Sequence, residues 1–442
     1  MRNSILIFVL VFNFSLGKQV KAQELLTPSD AIKLTLDHNY GIQIANNNVI
    51  TAENNKSVLN SGYLPTLTGV SNASIDLQNT EGQLANGETR VAEGAETRRY
   101  NASLNLNYTL FDGLGRLYNY KRLKEEYKLS ELQARETIEN TISQLLEVYY
   151  NVARQQENLN AIREALTVSK SRLTRSNYQF EYGQNTKLEV LNAQVDVNND
   201  TINLVNAAQL LVNAKRDLNL VTGNTIIKNF KIDTTLTFLL NLDKQDLLNK
   251  LKANNVTLLQ NEKNVKINEF LVKANRSGFL PTIGLTGSYG WNESSNNSPL
   301  AFVLQNTSTN LSGGINLTWN LFDGGSNITR VKNAKIALQN QKLLKEQLIQ
   351  NIERDFNNAW DDYQNRLLIY EAQKNNIVTA QNNFERTEEQ FKLGQVNSIE
   401  FRQAQLNLLT AELNKNQSKY DAKLAEIRLL QITGELLNVP FD

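Results

Sequence analysis

The tetrapeptide Leu110-Phe111-Asp112-Gly113 returns as Leu321-Phe322-Asp323-Gly324, a shift of 211 residues (323 − 112). Each copy closes a run of alternating polar and apolar residues and opens a very long run with helical spacing. The chain is therefore built from two strand-to-helix units. Asp suits such a joint: its carboxylate accepts free N–H groups of the first helical turn and opposes the positive end of the helix dipole. A lone Asp-Gly pair would read as an ordinary turn, but the surroundings repeat too. Ser61-Gly62-Tyr63-Leu64-Pro65-Thr66 returns as Ser277-Gly278-Phe279-Leu280-Pro281-Thr282, here shifted by 216 (278 − 62). Asn39-Tyr40-Gly41-Ile42 matches Asn255-Val256-Thr257-Leu258 at that same shift. Glycine permits a left-handed helix exit and proline cannot continue a helix.

Four segments alternate with a period of two. Leu67, Ala73, Ile75 and Leu77 oppose Thr66, Thr68, Asn72 and Asp76, while Ala102, Leu104, Leu106, Tyr108 and Leu110 oppose Ser103, Asn105, Asn107 and Thr109. Ile283, Leu285, Tyr289 and Trp291, then Ile315, Leu317, Trp319 and Leu321, form the apolar faces of the other two. The opposite faces are small, neutral and hydrogen-bonding. A soluble half-buried sheet usually carries charge on its outer face; lipid outside and water inside fits better. About 12 residues at roughly 3.3 Å each, tilted near 45°, span about 28 Å, close to a hydrocarbon core. The polar links 79–99 and 292–310 are expected as loops on the outside of the cell, and the shift changes from 216 to 211 across them, as loop insertions do.

After each Asp-Gly joint a seven-residue repeat runs without Pro: Leu145, Val152, Leu159, Leu166, Leu173 and Phe180, then Phe356, Tyr363, Tyr370, Ile377, Phe384 and Phe391. That period marks coiled-coil-like packing, and about 68 helical residues reach about 100 Å. Each run ends at a glycine turn. Gly183, Gln184, Thr186 and Glu189 answer to Gly394, Gln395, Asn397 and Glu400, and Ala193-Gln194 to Ala404-Gln405. Thr186 with Glu189 has capping-box spacing, which Asn397 with Glu400 imitates. The expected organisation is a cleaved signal at 1–22 and a first repeat at 23–223 (strand pair 64–111, long helix 113–180, return helix 186–222). An equatorial segment follows at 224–246, strand-like at 234–238. The second repeat is 247–434 (strand pair 280–322, long helix 324–391, return helix 397–433), with a short tail at 435–442. In each repeat a short helix, 41–62 or 255–278, stacks end to end with the return helix.

The 442 residues carry a net charge of +1, which points to no nucleic-acid partner. There is no Cys, so disulfides, thiolate metal sites and cysteine nucleophiles are excluded. The single His, His38, has no second His near it and reads as structural. Asp361-Asp362 is adjacent on a helix, where neighbouring side chains point apart. No enzyme and no cofactor is expected. Arg2, the apolar stretch 5–16 and Val20-Lys21-Ala22 form an export signal cleaved before Gln23. Past it no apolar run of about 18 residues occurs, so any membrane crossing is a closed β-barrel.

These residues resemble the TolC family of outer-membrane efflux proteins over nearly the whole mature chain, through the paired joints, strand-leading Gly-Tyr/Phe-Leu-Pro-Thr motifs and tip turns. The resemblance implies a mainly α fold with membrane β. Each chain would have four antiparallel strands and long antiparallel coiled-coil-like helices. A homotrimer would form a 12-stranded β-barrel continuous with a 12-helix α-barrel in the periplasm. It implies an outer-membrane exit duct of a tripartite efflux or type I secretion system, served by a periplasmic adaptor and an inner-membrane pump of RND, ABC or MFS type. The tip residues Gly183, Gln184, Thr186, Glu189, Gly394, Gln395, Asn397 and Glu400 are then the adaptor-docking surface, although plain helix-turn-helix chemistry gives the same pattern. Glu385, Glu388 and Glu389 would form acidic rings near the entrance under threefold symmetry; a solvated helix face is the alternative. The joints themselves are Asp112, Gly113, Asp323 and Gly324. The other reading is a structural trimeric coiled-coil surface protein or adhesin stalk, which would place membrane strands once, at its C-terminus.

Overall fold

The structure, a computed structural model, describes residues 25–226, 230–239, 242–298 and 301–440. The expected signal lies outside the described residues. Chain order is β1 (Leu25–Leu26), α1 (Pro28–His38), α2 (Tyr40–Asn55), β2 (Thr66–Gln83), β3 (Thr89–Asp112), α3 (Gly115–Glu181) and α4 (Lys187–Val221). Then follow β4 (Lys231–Ile232), α5 (Lys244–Asn254), α6 (Val256–Arg276), β5 (Thr282–Asn296), β6 (Gln305–Thr318), α7 (Ser326–Lys392) and α8 (Ser398–Thr433). The duplication is geometric as well as textual: adding 216 to the bounds of α1 gives those of α5.

Strands β2, β3, β5 and β6 form one antiparallel sheet in that order. Its register places Gly69, Leu104, Tyr289 and Leu311 in one row and Thr68, Asn105, Ser288 and Ser312 in the next. Apolar and polar residues therefore segregate to opposite faces. The strands reach further into the expected loops than the alternation suggested, whereas β6 stops at Thr318, short of the expected 322. Pairing continues to Gln83 with Thr89 and to Ser295 with Gln305, so most of the expected loop 79–99 is a ladder. Backbone bonds hold polar strands together equally well once no lipid imposes alternation.

The long helices have 67 residues each, about 100 Å of rise. They begin at Gly115 and Ser326 rather than at the Asp-Gly pair, because two left-handed residues come first: Gly113 and Leu114, then Gly324 and Gly325. The aspartates still cap from outside, accepting the backbone N–H of Arg116 and of Asn327, each at 2.8 Å. Along α3 the repeat positions Leu145, Val152, Leu159 and Leu166 are buried, whereas Phe180 is exposed near the tip. On α7, Phe356, Tyr363, Phe384 and Phe391 are buried.

The segment between the repeats differs from the expectation. Residues 234–238 are not a strand; the strand is β4, which pairs in parallel with β1. The threonine-rich run 234–237 is held by side chains instead. Lys419 and Lys423 of α8 donate to the Thr234 and Thr237 carbonyls at 2.9 and 2.8 Å, and Leu239 N–H donates to Glu426 at 3.0 Å. Tyr149 closes the belt by donating to Leu26 O at 2.8 Å. Among the described residues no helix is long and apolar enough to cross a membrane.

Candidate functional site

Two regions carry the chemistry that the fold positions: the sheet and the helical tips. On the sheet, Leu104, Tyr289, Leu311, Ile315 and Leu317 are exposed, all on the apolar face. On the polar face Ser288 donates to Asn105 at 2.8 Å. The outer strands β2 and β6 each leave one edge unpaired in a single chain.

At the tips both turns use the same backbone device. Gly183 and Gly394 are left-handed, and Gln184 N–H and Gln395 N–H reach back to Gln179 O and Gln390 O at 2.7 and 2.9 Å. The caps after them are reversed from expectation. Asn397 and Glu400 make the full capping box, with Asn397 accepting Glu400 N–H at 2.9 Å and Glu400 accepting Asn397 N–H at 3.1 Å. Thr186 makes no side-chain cap; its own N–H is taken by Asn185 at 2.8 Å. Glu189 Oε2 is left without a hydrogen-bond partner among the described residues.

The three glutamates lie on the last turns of α7. Glu385 accepts from Gln381 at 2.7 Å, while Glu388 and Glu389 share Lys392 at 3.5 and 2.9 Å. Two of the three charges therefore have a cation beside them. Among the described residues no group of three or more His, Asp or Glu is arranged to hold a metal ion.

Above the tips sits a buried polar cluster that sequence reasoning missed. Arg402 of α8 grips Asp200 of α4 with two bonds, at 2.7 and 2.8 Å, and Ser169 of α3 donates to the same carboxylate at 2.5 Å. Gln405 donates to Ala165 O at 2.7 Å, and Arg172 binds Asp196 and Ser398 O. Burial pushes the Asp200 carboxyl up, but the Arg402 and Ser169 hydrogen bonds and the Arg402 and Arg172 charges outweigh it and hold it below the usual range. The cluster joins the first-repeat hairpin to the second. Neither Asp200 nor Arg402 has a like residue at its repeat position, Ala411 and Leu191, so repetition gave no signal. Beside it a cleft of about 280 Å³ opens between α3, α7 and α8, lined by Arg172, Arg175, Glu388, Phe391, Lys392 and Phe401.

Comparison with known proteins places this geometry. The chain is 24% identical over 323 residues to the outer membrane protein TolC of Vibrio cholerae, covering 71% of this chain and 72% of the relative. It is 22% identical over 404 residues to the outer membrane efflux protein BepC of Brucella suis, covering 90% and 81%. Its fold matches the Campylobacter jejuni CmeC outer membrane channel with a TM-score of 0.76 at 18% identity, over 98% of this chain and 94% of that one. The open Neisseria gonorrhoeae MtrE channel superposes with a TM-score of 0.72 at 17% identity, over 93% and 89%. The model of the family described as outer membrane efflux protein matches residues 31–224 and 247–435, one match per repeat, so the chain belongs to the outer membrane efflux proteins, the TolC family of the Gram-negative outer membrane.

Proposed function

We propose that three copies of this chain close one passive duct through the outer membrane. The observation that carries this is the four-stranded sheet with one exposed apolar face and both edges open. Four strands cannot close a transmembrane barrel, since the smallest have about eight; twelve strands from three copies can. The 67-residue helices then extend the wall about 100 Å into the periplasm. No Walker-type Gly-x-x-x-x-Gly-Lys-Ser/Thr stretch occurs in the sequence, so the energy for export comes from an inner-membrane pump. The turns at Gly183 and Gly394 receive a periplasmic adaptor, and Glu385, Glu388 and Glu389 ring the entrance.

The decisive experiment is single-channel recording of detergent-extracted protein in planar bilayers, beside native mass measurement. Trimers with stepwise ion conductance support the duct. A protease-sensitive rod without conductance supports the stalk instead. Crosslinking from Gln184→Cys and Gln395→Cys in cells tests the adaptor surface: capture of a periplasmic hairpin protein supports it, and no capture from either turn removes it.

A further inference from the structure

The end of the helical wall nearest the sheet carries lysines on one side only. There α3 is flanked by α2, where Tyr63 meets Tyr120 edge-on and Lys56 sits over Tyr127. On its other flank is α6, whose Gln260 donates to Glu136 at 2.8 Å. At about 100° per residue, Lys121, Lys124 and Lys128 fall between those flanks on one side of the wall, and Asn119, Glu126 and Ser130 on the other. Lys121 and Lys273 of α6 both lie over the Tyr118 ring, each 5.8 Å from its centroid. The α6 lysines, Lys273 and Lys266 two turns before it, therefore share that side, while Asn264, Asn268 and Asn275 take the opposite one. On α7 the repeat supplies Lys332 (121 + 211) and Lys335 (124 + 211). All these lysines are exposed.

That side continues the apolar face of the sheet. Asn296 N–H donates to Leu304 O at 2.8 Å and Asn297 N–H to Glu96 O at 3.1 Å. Even residues of β5 therefore bond toward β6 and odd residues toward β3. With L residues and β5 climbing away from α6, this sense of bonding turns Tyr289 and Trp291 to the lysine side of the wall and Ser288 to the asparagine side. Phe279, Trp319 and Phe322 are exposed where strands meet helices, the place of an interfacial aromatic belt.

We propose that this lysine collar binds the phosphate headgroups of anionic phospholipids in the periplasmic leaflet of the outer membrane. The proposal rests on the reading that the apolar sheet face meets lipid. Along the helices, Lys273 lies about 5 Å from the sheet end, Lys121 and Lys332 about 9 Å, and Lys124 and Lys335 about 14 Å. The headgroup layer is about 5–8 Å deep, and a lysine side chain reaches along apolar surface toward it. The deeper lysines stand within roughly one further Debye length, about 8 Å. A merely solvated helix face mixes its signs: lower on α7, Lys374 pairs with Glu371 and Lys392 with Glu389. Near the sheet that pairing is missing. α3 has no carboxylate between Gly115 and Lys124, and α7 none between Ser326 and Lys345. Glu125 is taken by Lys128 and Lys263, and Glu262 by Lys345; Glu269 offsets one charge per chain. A phosphodiester supplies the missing anion at that depth, whereas a zwitterionic headgroup cancels it with its own ammonium.

Trp319, just past the foot of β6, reports on lipid beside the collar, and Trp291→Phe with Trp360→Phe leaves it the single tryptophan. The full chain in this background is reconstituted in phosphatidylcholine vesicles containing brominated phosphatidylglycerol or, separately, brominated phosphatidylcholine. Quenching of Trp319 gives the relative affinity for the two headgroups. A preference of about threefold or more for phosphatidylglycerol is expected at low salt. It should fall to parity in about 0.5 M NaCl, and at low salt in the variant carrying Lys121→Gln, Lys124→Gln, Lys332→Gln and Lys335→Gln. Arginine at the same four positions should keep it, as should Lys170→Gln with Lys187→Gln near the tips. No preference in the protein with all its lysines, or an equal preference in the glutamine variant, overturns the collar. Should the glutamine variant fail to insert, a preference unmoved by salt overturns it instead. Absence of quenching by either brominated lipid overturns the lipid contact of the sheet itself, which separates that failure from a failure of the collar alone.

Discussion

Asn39 and Asn255 make the same two kinds of bond, 216 residues apart. Asn39 Oδ1 accepts Gly41 N–H at 2.8 Å and Asn255 Oδ1 accepts Leu258 N–H at 2.9 Å, so each starts a helix. The amide of Asn39 donates to Val221 O, and that of Asn255 to Ile432 O, both at 2.9 Å. Each asparagine therefore breaks the chain between two short helices and ties the break to the last turn of its own repeat's return helix. We predict that Asn255→Ala lowers stability by about 2 kcal/mol per copy, from a lost cap and a lost hydrogen bond. Asn255→Asp keeps the acceptor and loses the amide, so it should fall between. Urea midpoints of the helical circular-dichroism signal in detergent measure this, and an unchanged midpoint for both variants refutes it.

Gly434, beside the Asn255 break, and Gly394, in the tip turn at the other end of α8, should respond unequally to alanine. Gly434 is left-handed at φ +71°, and a Cβ there would sit 2.4 Å from Asn254 O. Gly394 is left-handed at φ +75° with open space around it. Gly394→Ala should cost about 1 kcal/mol, the strain of the conformation alone. Gly434→Ala must also push α5 off the end of α8, and is expected to abolish heat-resistant assembly. Equal thermal stability of the two variants would contradict this.

On the proposed ring at the entrance, neutralising Glu385, Glu388 and Glu389 should alter ion passage. Lys392 already pairs with Glu388 and Glu389, so Glu385 carries the least compensated charge. The triple change of Glu385, Glu388 and Glu389 to Gln is predicted to weaken block by divalent cations, with Glu385→Gln alone giving most of the effect. Identical single-channel records for the triple variant and the parent would remove the acidic-ring role.

The repeat made much of this fold legible. Asp112 and Asp323 were visible as joints because a carboxylate before a helix has few other uses, and the structure places both on first-turn N–H groups. The true start of the long helices was hidden, since Leu114 adopts φ +69°, a conformation that its residue type does not announce. The capping boxes were read from spacing alone, and competition from Asn185 for the Thr186 N–H lies outside any spacing rule. The segment 234–238 looked like a strand because its threonines favour extended backbone, yet the Thr234 and Thr237 carbonyls are held by Lys419 and Lys423, 185 and 186 residues away. Arg402 and Asp200 were invisible because that pair occurs in one repeat relation only.

Glu412 should make the chain less stable as pH rises through mild acid. It is half-buried on α8; burial pushes its carboxyl up, Glu164 of α3 adds to that, and Lys415 opposes both. Glu157 of α3 and Ile377 of α7 line the same cleft. A raised folded pKa means that the folded state holds the proton to higher pH than the unfolded one. This group's contribution is therefore most favourable below about pH 4.3, the ordinary Glu value, and declines until the folded pKa is passed. Glu412→Gln should remove that decline and raise the urea midpoint at pH 7. A midpoint at pH 7 equal to or below the parent's would show that the carboxyl is already relieved.

Breaking the Arg402–Asp200 grip should be the most damaging single change near the tips. Arg402→Ala leaves a buried carboxylate without its guanidinium, which costs about 3–5 kcal/mol. Arg402→Leu combined with Asp200→Leu should recover most of that loss, because the penalty lies in the unpaired charge. The pH dependence has the opposite sense to that of Glu412. Asp200 titrates below its ordinary value, so its contribution is fully present above about pH 3.9 and is lost as the pH falls through the folded pKa. The difference between parent and Arg402→Ala should persist at pH 5 and shrink at pH 3. Urea midpoints of both proteins at pH 7, 5 and 3 measure it. A difference that stays constant to pH 3 would mean that the ionised Asp200 carboxylate is not what Arg402 stabilises.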